Sequence, residues 1–194
     1  MEEDEEKSPK IQMIAFTTSE KNPSPNDLID KYLEKNSHFM IKKNKQLVAF
    51  SSVLPGQKRP TKIMICTLLD LNMEYEGINE VNCYLIVIDI QKEASKQKYS
   101  EIISYFQKFC DLSKKIFLLG VKSDENTDNK VKLTEEEIVQ VVETLNVDYD
   151  YFQLNIDSAD EVSKKIIEIL IYSLNNNFEN NDKEDNHGRS CSIY

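Results

Sequence analysis

Only four glycines occur in the 194 residues, Gly56, Gly77, Gly120 and Gly188, and none precedes position 56. A loop that wraps phosphate in backbone N–H groups needs glycine for positive φ angles and for close approach of main chain to ligand. The first quarter of the chain therefore holds no such loop. No apolar run approaches the roughly 20 residues of a membrane-spanning helix. The chain opens Met1, Glu2, Glu3, Asp4, Glu5, Glu6, the reverse of a secretory signal's basic start, so a cytoplasmic protein is expected. Cations are outnumbered, 24 Lys and Arg against 34 Asp and Glu, for a net charge of -10. Such a surface repels a phosphate backbone, and nucleic acid is not an expected partner. Four cysteines, Cys66, Cys83, Cys110 and Cys191, show neither metal-binding spacing nor a disulfide framework. The first three read as reduced core thiols, with Cys191 set apart.

What is present suffices for one core: 40% of residues are hydrophobic and 30% charged, in a chain of single-domain length. Residues 11–16 form a strand-length apolar run, followed by a helix to about residue 35 that Ser24 caps, with Pro25 at its first position. A strand pair at 38–41 and 46–54 and a strand at 62–69 follow. Residues 83–90 (CYLIVIDI) are apolar on both faces, as a central strand covered on each side would be. Beyond them the pattern predicts a helix at 95–109, a strand at 115–121, a helix at 133–145 opened by a Thr134–Glu137 capping box, a strand at 149–156 and a helix at 161–174. The organisation expected is an acidic disordered head (1–9), one domain (10–174) and a disordered polar tail (175–194). Alternation of strand and helix argues an α/β fold, a three-layer sandwich around a mostly parallel six-stranded sheet, with its ligand site at the carboxyl ends of the strands.

Two stretches carry a more specific likeness: residues 78–90 (INEVNCYLIVIDI), a strand ending in Asp89, and residues 116–124 (IFLLGVKSD). With the element order and the size, they resemble the Ras superfamily of small GTPases, most nearly its Rab-like branch, which implies a P-loop-NTPase topology. In that family the second stretch leads into the guanine-recognition motif Asn-Lys-x-Asp. There the carboxylate accepts hydrogen bonds from the base and the lysine stem lies along its face. The resemblance thus implies a residual guanine site at Lys122 and Asp124. Val121 stands where the motif has Asn, and the lost amide is expected to leave the loop untied at a cost of about a few kcal/mol.

The family's other motifs depart further. The phosphate loop falls on residues 17–27 (TTSEKNPSPND), with Pro23 and Pro25 lacking the N–H a cradle needs and Lys21 as a lone cation. In this alignment Ser24 and Pro25 stand at the Gly-Lys pair and Asn26 at the magnesium-binding hydroxyl. No threonine lies between Ser19 and Pro60 to hold magnesium, and Thr67, Leu68, Leu69, Asp70 and Leu71 stand where Asp-x-x-Gly-Gln belongs. Asn155, Ile156 and Asp157 take the place of Ser-Ala-Lys. The end, Cys191-Ser192-Ile193-Tyr194, has the form of a prenylation box. No polybasic second signal accompanies it, so any anchoring through Cys191 would be weak and reversible. Two readings follow from the resemblance. One is a protein-interaction module in membrane traffic or signalling, binding other proteins, with no catalytic residue, metal or cofactor. The other is a divergent GTPase that binds GTP or GDP with magnesium through Lys122 and Asp124 and hydrolyses slowly or not at all.

Overall fold

The computed structural model describes residues 8–19, 23–72, 74–75, 77–78, 80–124 and 131–187. Seven strands and four helices follow in the order β1 (Lys10–Thr17), α1 (Pro25–Lys35), β2 (His38–Lys43), β3 (Leu47–Ser52), β4 (Thr61–Thr67), β5 (Cys83–Asp89), α2 (Ala94–Phe109), β6 (Ile116–Lys122), α3 (Glu135–Glu143), β7 (Tyr149–Asn155) and α4 (Ala159–His187). One sheet holds all the strands in the order β2-β3-β4-β1-β5-β6-β7, and β3 alone runs against the rest. The α/β class and the mostly parallel sheet are as expected, but the strands number seven and not six. All seven strand-length segments read in the sequence, 11–16, 38–41, 46–54, 62–69, 83–90, 115–121 and 149–156, pair in this one sheet, and no helix was expected between 62–69 and 83–90. β4 and β5 flank β1 on opposite sides, and the chain between them, residues 68–82, passes over β1 with no helix among its described residues. A parallel crossover usually uses a helix; here Asp70, Asn72 and Gly77, the last with φ of 78°, interrupt the segment with turns.

The sheet is covered on both faces. Successive residues of a strand point to opposite sides, so Leu85 and Val87 pack with Leu28, Tyr32, Ile166 and Leu170 of α1 and α4. Tyr84, Ile86 and Ile88 pack with Tyr99, Phe106 and Ile138 of α2 and α3. The capping box expected at α3 forms, and the Ser24 cap of α1 is also a full box. Ser24 Oγ accepts from Asp27 N while Asp27 accepts from Ser24 N, and Thr134 and Glu137 repeat the exchange at α3; each cap contributes about 1 kcal/mol. α4 runs on to His187, past the end expected at residue 174, because lengthening an established helix avoids the cost of nucleating one. The expected disordered tail is thus helical over 175–187. Residues 1–7, Lys21 and residues 188–194, including Cys191, lie outside the described residues.

Gly120 sits where β6 passes Tyr151. A Cβ there would overlap the Tyr151 hydroxyl and come within 3.1 Å of Ile90 Cγ2. The Tyr151 hydroxyl is itself buried without a hydrogen-bond partner among the described residues. Gly120→Ala should therefore lower the unfolding free energy by about 1–3 kcal/mol. Tyr151→Phe should leave it unchanged or raise it, since no bond is lost. Urea denaturation distinguishes the two.

Burial of acids in this core sets an alkaline limit. Desolvation of the charged form pushes the Cys83 and Cys110 thiols, and the Tyr151 hydroxyl, up to about 12, and raises the Tyr84 and Tyr99 hydroxyls as well. The unfolded chain releases these protons from the ordinary values, 9.0 for cysteine and 10.0 for tyrosine, while the folded chain keeps them. The stability this confers is complete below about pH 9 and is lost as pH rises toward about 12. Denaturation midpoints should fall steadily across that window. A flat profile there would contradict the burial of these groups.

Candidate functional site

The carboxyl ends of the parallel strands β4, β1, β5, β6 and β7 lie along one end of the sheet, and the motif positions within the described range fall at these strand ends, on the loops that leave them or at the start of α1. At the end of β1 the threonines fold back on the protein. Thr18 N donates to Val87 O (3.0 Å). Thr18 Oγ1 donates to Ser95 Oγ (3.1 Å) and accepts from Asp89 N (3.0 Å). Thr17 Oγ1 accepts from Ser19 N (3.1 Å) and lies 3.3 Å from Pro23 O. Pro23 and Pro25 are buried. Asp89, only 4% exposed, is paired with Lys92, whose Nζ stands 2.7 Å from Asp89 Oδ2 and donates to Ser19 Oγ at 3.2 Å. The Lys92 cation beside this loop is thus held by an acid of the protein itself. Beside this network a cavity of about 720 Å³ opens between β1 and α2, with Phe16, Leu68, Leu71 and Ile102 on its apolar side and Thr18 and Lys92 on its polar side.

Lys122 closes β6, and Asp124 lies two residues beyond it on the exposed loop. The structure brings Asp124 together with Asn155 and Asp157 from the end of β7. Asn155 Nδ2 donates to Asp124 Oδ2 (2.7 Å). Asp157 Oδ2 accepts from Asp124 N (2.7 Å) and from Ser123 Oγ (2.9 Å). Ile156 N donates to Lys122 O (2.9 Å), so the two loops are joined along their length. A base presenting two N–H donors to Asp124 would compete with Asn155 for one carboxylate oxygen.

The loop is not untied by Val121. That side chain is wholly buried in the apolar layer with Leu154, Val162 and Ile166. The tie comes instead from Gln91, just past the end of β5: Gln91 Oε1 accepts from Ser123 N (2.8 Å) and Gln91 Nε2 donates to Ser123 O (3.1 Å). Gln91 is 8% exposed, so the pair of bonds is largely shielded from water. Sequence reasoning missed this residue. Its signal was a long amide placed directly after a fully apolar strand, next to the end of the neighbouring parallel strand.

Gln91→Ala should lower the unfolding free energy by about 1–3 kcal/mol, because the Ser123 amide loses its acceptor in a shielded place. Val121→Asn, which would supply the residue of the guanine motif, should cost at least as much by putting an amide among apolar side chains. Paired urea titrations check both, and a stabilised Val121→Asn would show that the loop still lacks its tie.

A family model described as Ras family matches residues 71–174, more than half of the 194 residues, from the crossover before β5 into α4. No curated protein matches the chain at a significant level. The matched segment contains Asp89, Gln91, Lys122, Asp124, Asn155 and Asp157. The β1–α1 loop and the stretch up to Asp70 precede it.

Proposed function

The chain belongs to the Ras family, and from that premise we propose that it is a Rab-like member whose nucleotide machinery has been lost and which works mainly as a protein-interaction module in membrane traffic or signalling. The observation that carries this reading is the β1–α1 loop. Residues 17–27 have no glycine and two prolines, so few N–H groups are free to converge on phosphate. In addition the Thr17 and Thr18 hydroxyls bond to protein atoms, and the Lys92 cation is paired with Asp89. Leu71 stands where a water-orienting glutamine would act, and we assign no catalytic residue. In this proposal the protein is cytoplasmic, its partners are other proteins, it needs no cofactor, and Cys191 supplies at most a weak, reversible membrane contact.

A second reading rests on Lys122 and Asp124, both retained on a loop held firmly by Gln91: a guanine nucleotide bound weakly through its base, with GTP or GDP and magnesium. Calorimetric titration with GTP, with and without magnesium, separates the two. The first reading expects affinity weaker than about 100 μM, because the charge-assisted phosphate contacts are missing. A dissociation constant below about 1 μM would overturn it. Where weak binding is found, Asp124→Ala should abolish it with the fold intact, as the carboxylate is exposed beyond the strand end.

A further inference from the structure

The cations of this chain are unevenly placed. Between Asn36 and Leu69 stand Lys42, Lys43, Lys45, Lys58, Arg59 and Lys62 and no Asp or Glu, although the net charge is -10. Lys58 and Arg59 lie on the turn before β4 and Lys62 near its start, all exposed. Lys10, the first residue of β1, is exposed beside Lys62 in the parallel ladder. The register puts both side chains on one face of the sheet, where like charges on neighbouring strands repel. Among the described residues, Lys58 and Lys62 make no ion pair.

This corner is also where the N-terminal segment enters the fold. Pro9 O accepts from Lys62 N (2.9 Å), which fixes the direction of entry. The residues Glu2, Glu3, Asp4, Glu5 and Glu6 are five carboxylates in succession, three to seven positions before Pro9. At about 3.5 Å per residue at most, they reach no farther than about 10 to 25 Å from it. So short a tether holds them at an effective concentration of about millimolar around the corner.

Charge sets which way the segment turns. β1 has β4 on one side and β5 on the other, and beyond β5 the entry to β7 carries Asp148 and Asp150. Those acids already share Lys115, each at 3.2 Å, and repel further carboxylates. The entry to β4 offers only cations. We infer that Glu2 to Glu6 dock in cis on the corner formed by Lys10, Lys58, Arg59 and Lys62, as an electrostatic clasp that covers this surface against other polyanions. Exposed ion pairs are individually weak and screened by salt, so the clasp opens as ionic strength rises. It goes beyond the interaction-module reading and does not depend on nucleotide, so its test and the GTP titration fail independently.

The test is cross-linking of the full chain at low ionic strength with a water-soluble carbodiimide, which joins a carboxylate to a lysine amine where the two meet, followed by peptide mass spectrometry. Mixing ordinary with heavy-isotope-labelled protein separates links within a chain from links between chains. The expected result is intrachain links from residues 2–6 to Lys58 and Lys62, with a yield at least about tenfold lower in about 1 M NaCl, where the Debye length is about 3 Å. Added heparin, a polyanion competing for the same cations, should lower the yield likewise. Lys10→Glu with Arg59→Glu keeps both reacting lysines but cancels the charge of the corner, and should reduce the links at least about tenfold; both positions are exposed, so the fold should persist. Absence of these links, links spread evenly over Lys98, Lys108 and Lys164, links mainly between chains, or a yield that salt, heparin or the substitutions leave unchanged would overturn the proposal.

Discussion

Every residue of β5 is buried, and the rest of the molecule follows from keeping it so. A strand with apolar side chains on both faces needs neighbours on both edges and helices above and below. β1 and β6 satisfy its backbone, α1 and α4 close one side, and α2 and α3 close the other. Once those layers are in place, the loops at the carboxyl ends have little choice of position. Asp89, the last residue of the strand, is drawn into the interior with its carboxylate, where Lys92 and the Gln91 backbone N–H compensate it.

The same constraint explains how the two halves of the site differ. On the β6–β7 side, Gln91, Ser123, Asp124, Asn155 and Asp157 satisfy one another through short bonds, and the loops are held whether or not a ligand is present. On the β1 side, the Thr18 hydroxyl closes onto Asp89 and Ser95 instead of facing outward. Polar groups so close to a dry core are expensive to leave unpaired, and a chain without glycine at this point meets the need from its own side chains.

Much of the fold was legible in the sequence because its signals are local. The Ser24 and Thr134 caps, the doubly apolar run 83–90 and the helical spacing of Tyr99, Ile102, Ile103 and Phe106 each act within a few residues, and the elements stand within a few residues of where those patterns put them. The parts that were not legible depend on distant partners. Gln91 finds Ser123 across 32 positions, and no local pattern announces that bond. The seven strand-length segments were each visible, but which of them share one sheet depends on pairing between segments distant in sequence, and the sheet takes all seven and not six. The extent of α4 escaped composition because helix propagation tolerates residues that would never begin a helix. For the candidate site, Lys122 and Asp124 could be named from the resemblance of residues 116–124 to a guanine-recognition motif, but the bonds of Asp124 to Asn155 and Asp157 come only from the adjacency of β6 and β7.

The place of β1 between β4 and β5 bears on how the chain reaches this state. Neither neighbour adjoins it in sequence: Ile14 lies beside Cys66 on one side and Tyr84 on the other. β5, α2 and β6, by contrast, succeed one another directly and form a compact unit with modest loop closure. β1, which is synthesised before β4 and β5, therefore waits for a slot whose two walls are made later. Until both exist, residues 11–16 carry unpaired backbone and apolar side chains into solvent. Such a segment is a demand on holding chaperones during synthesis, and the acidic charge of the chain as a whole is its standing protection against association in that interval.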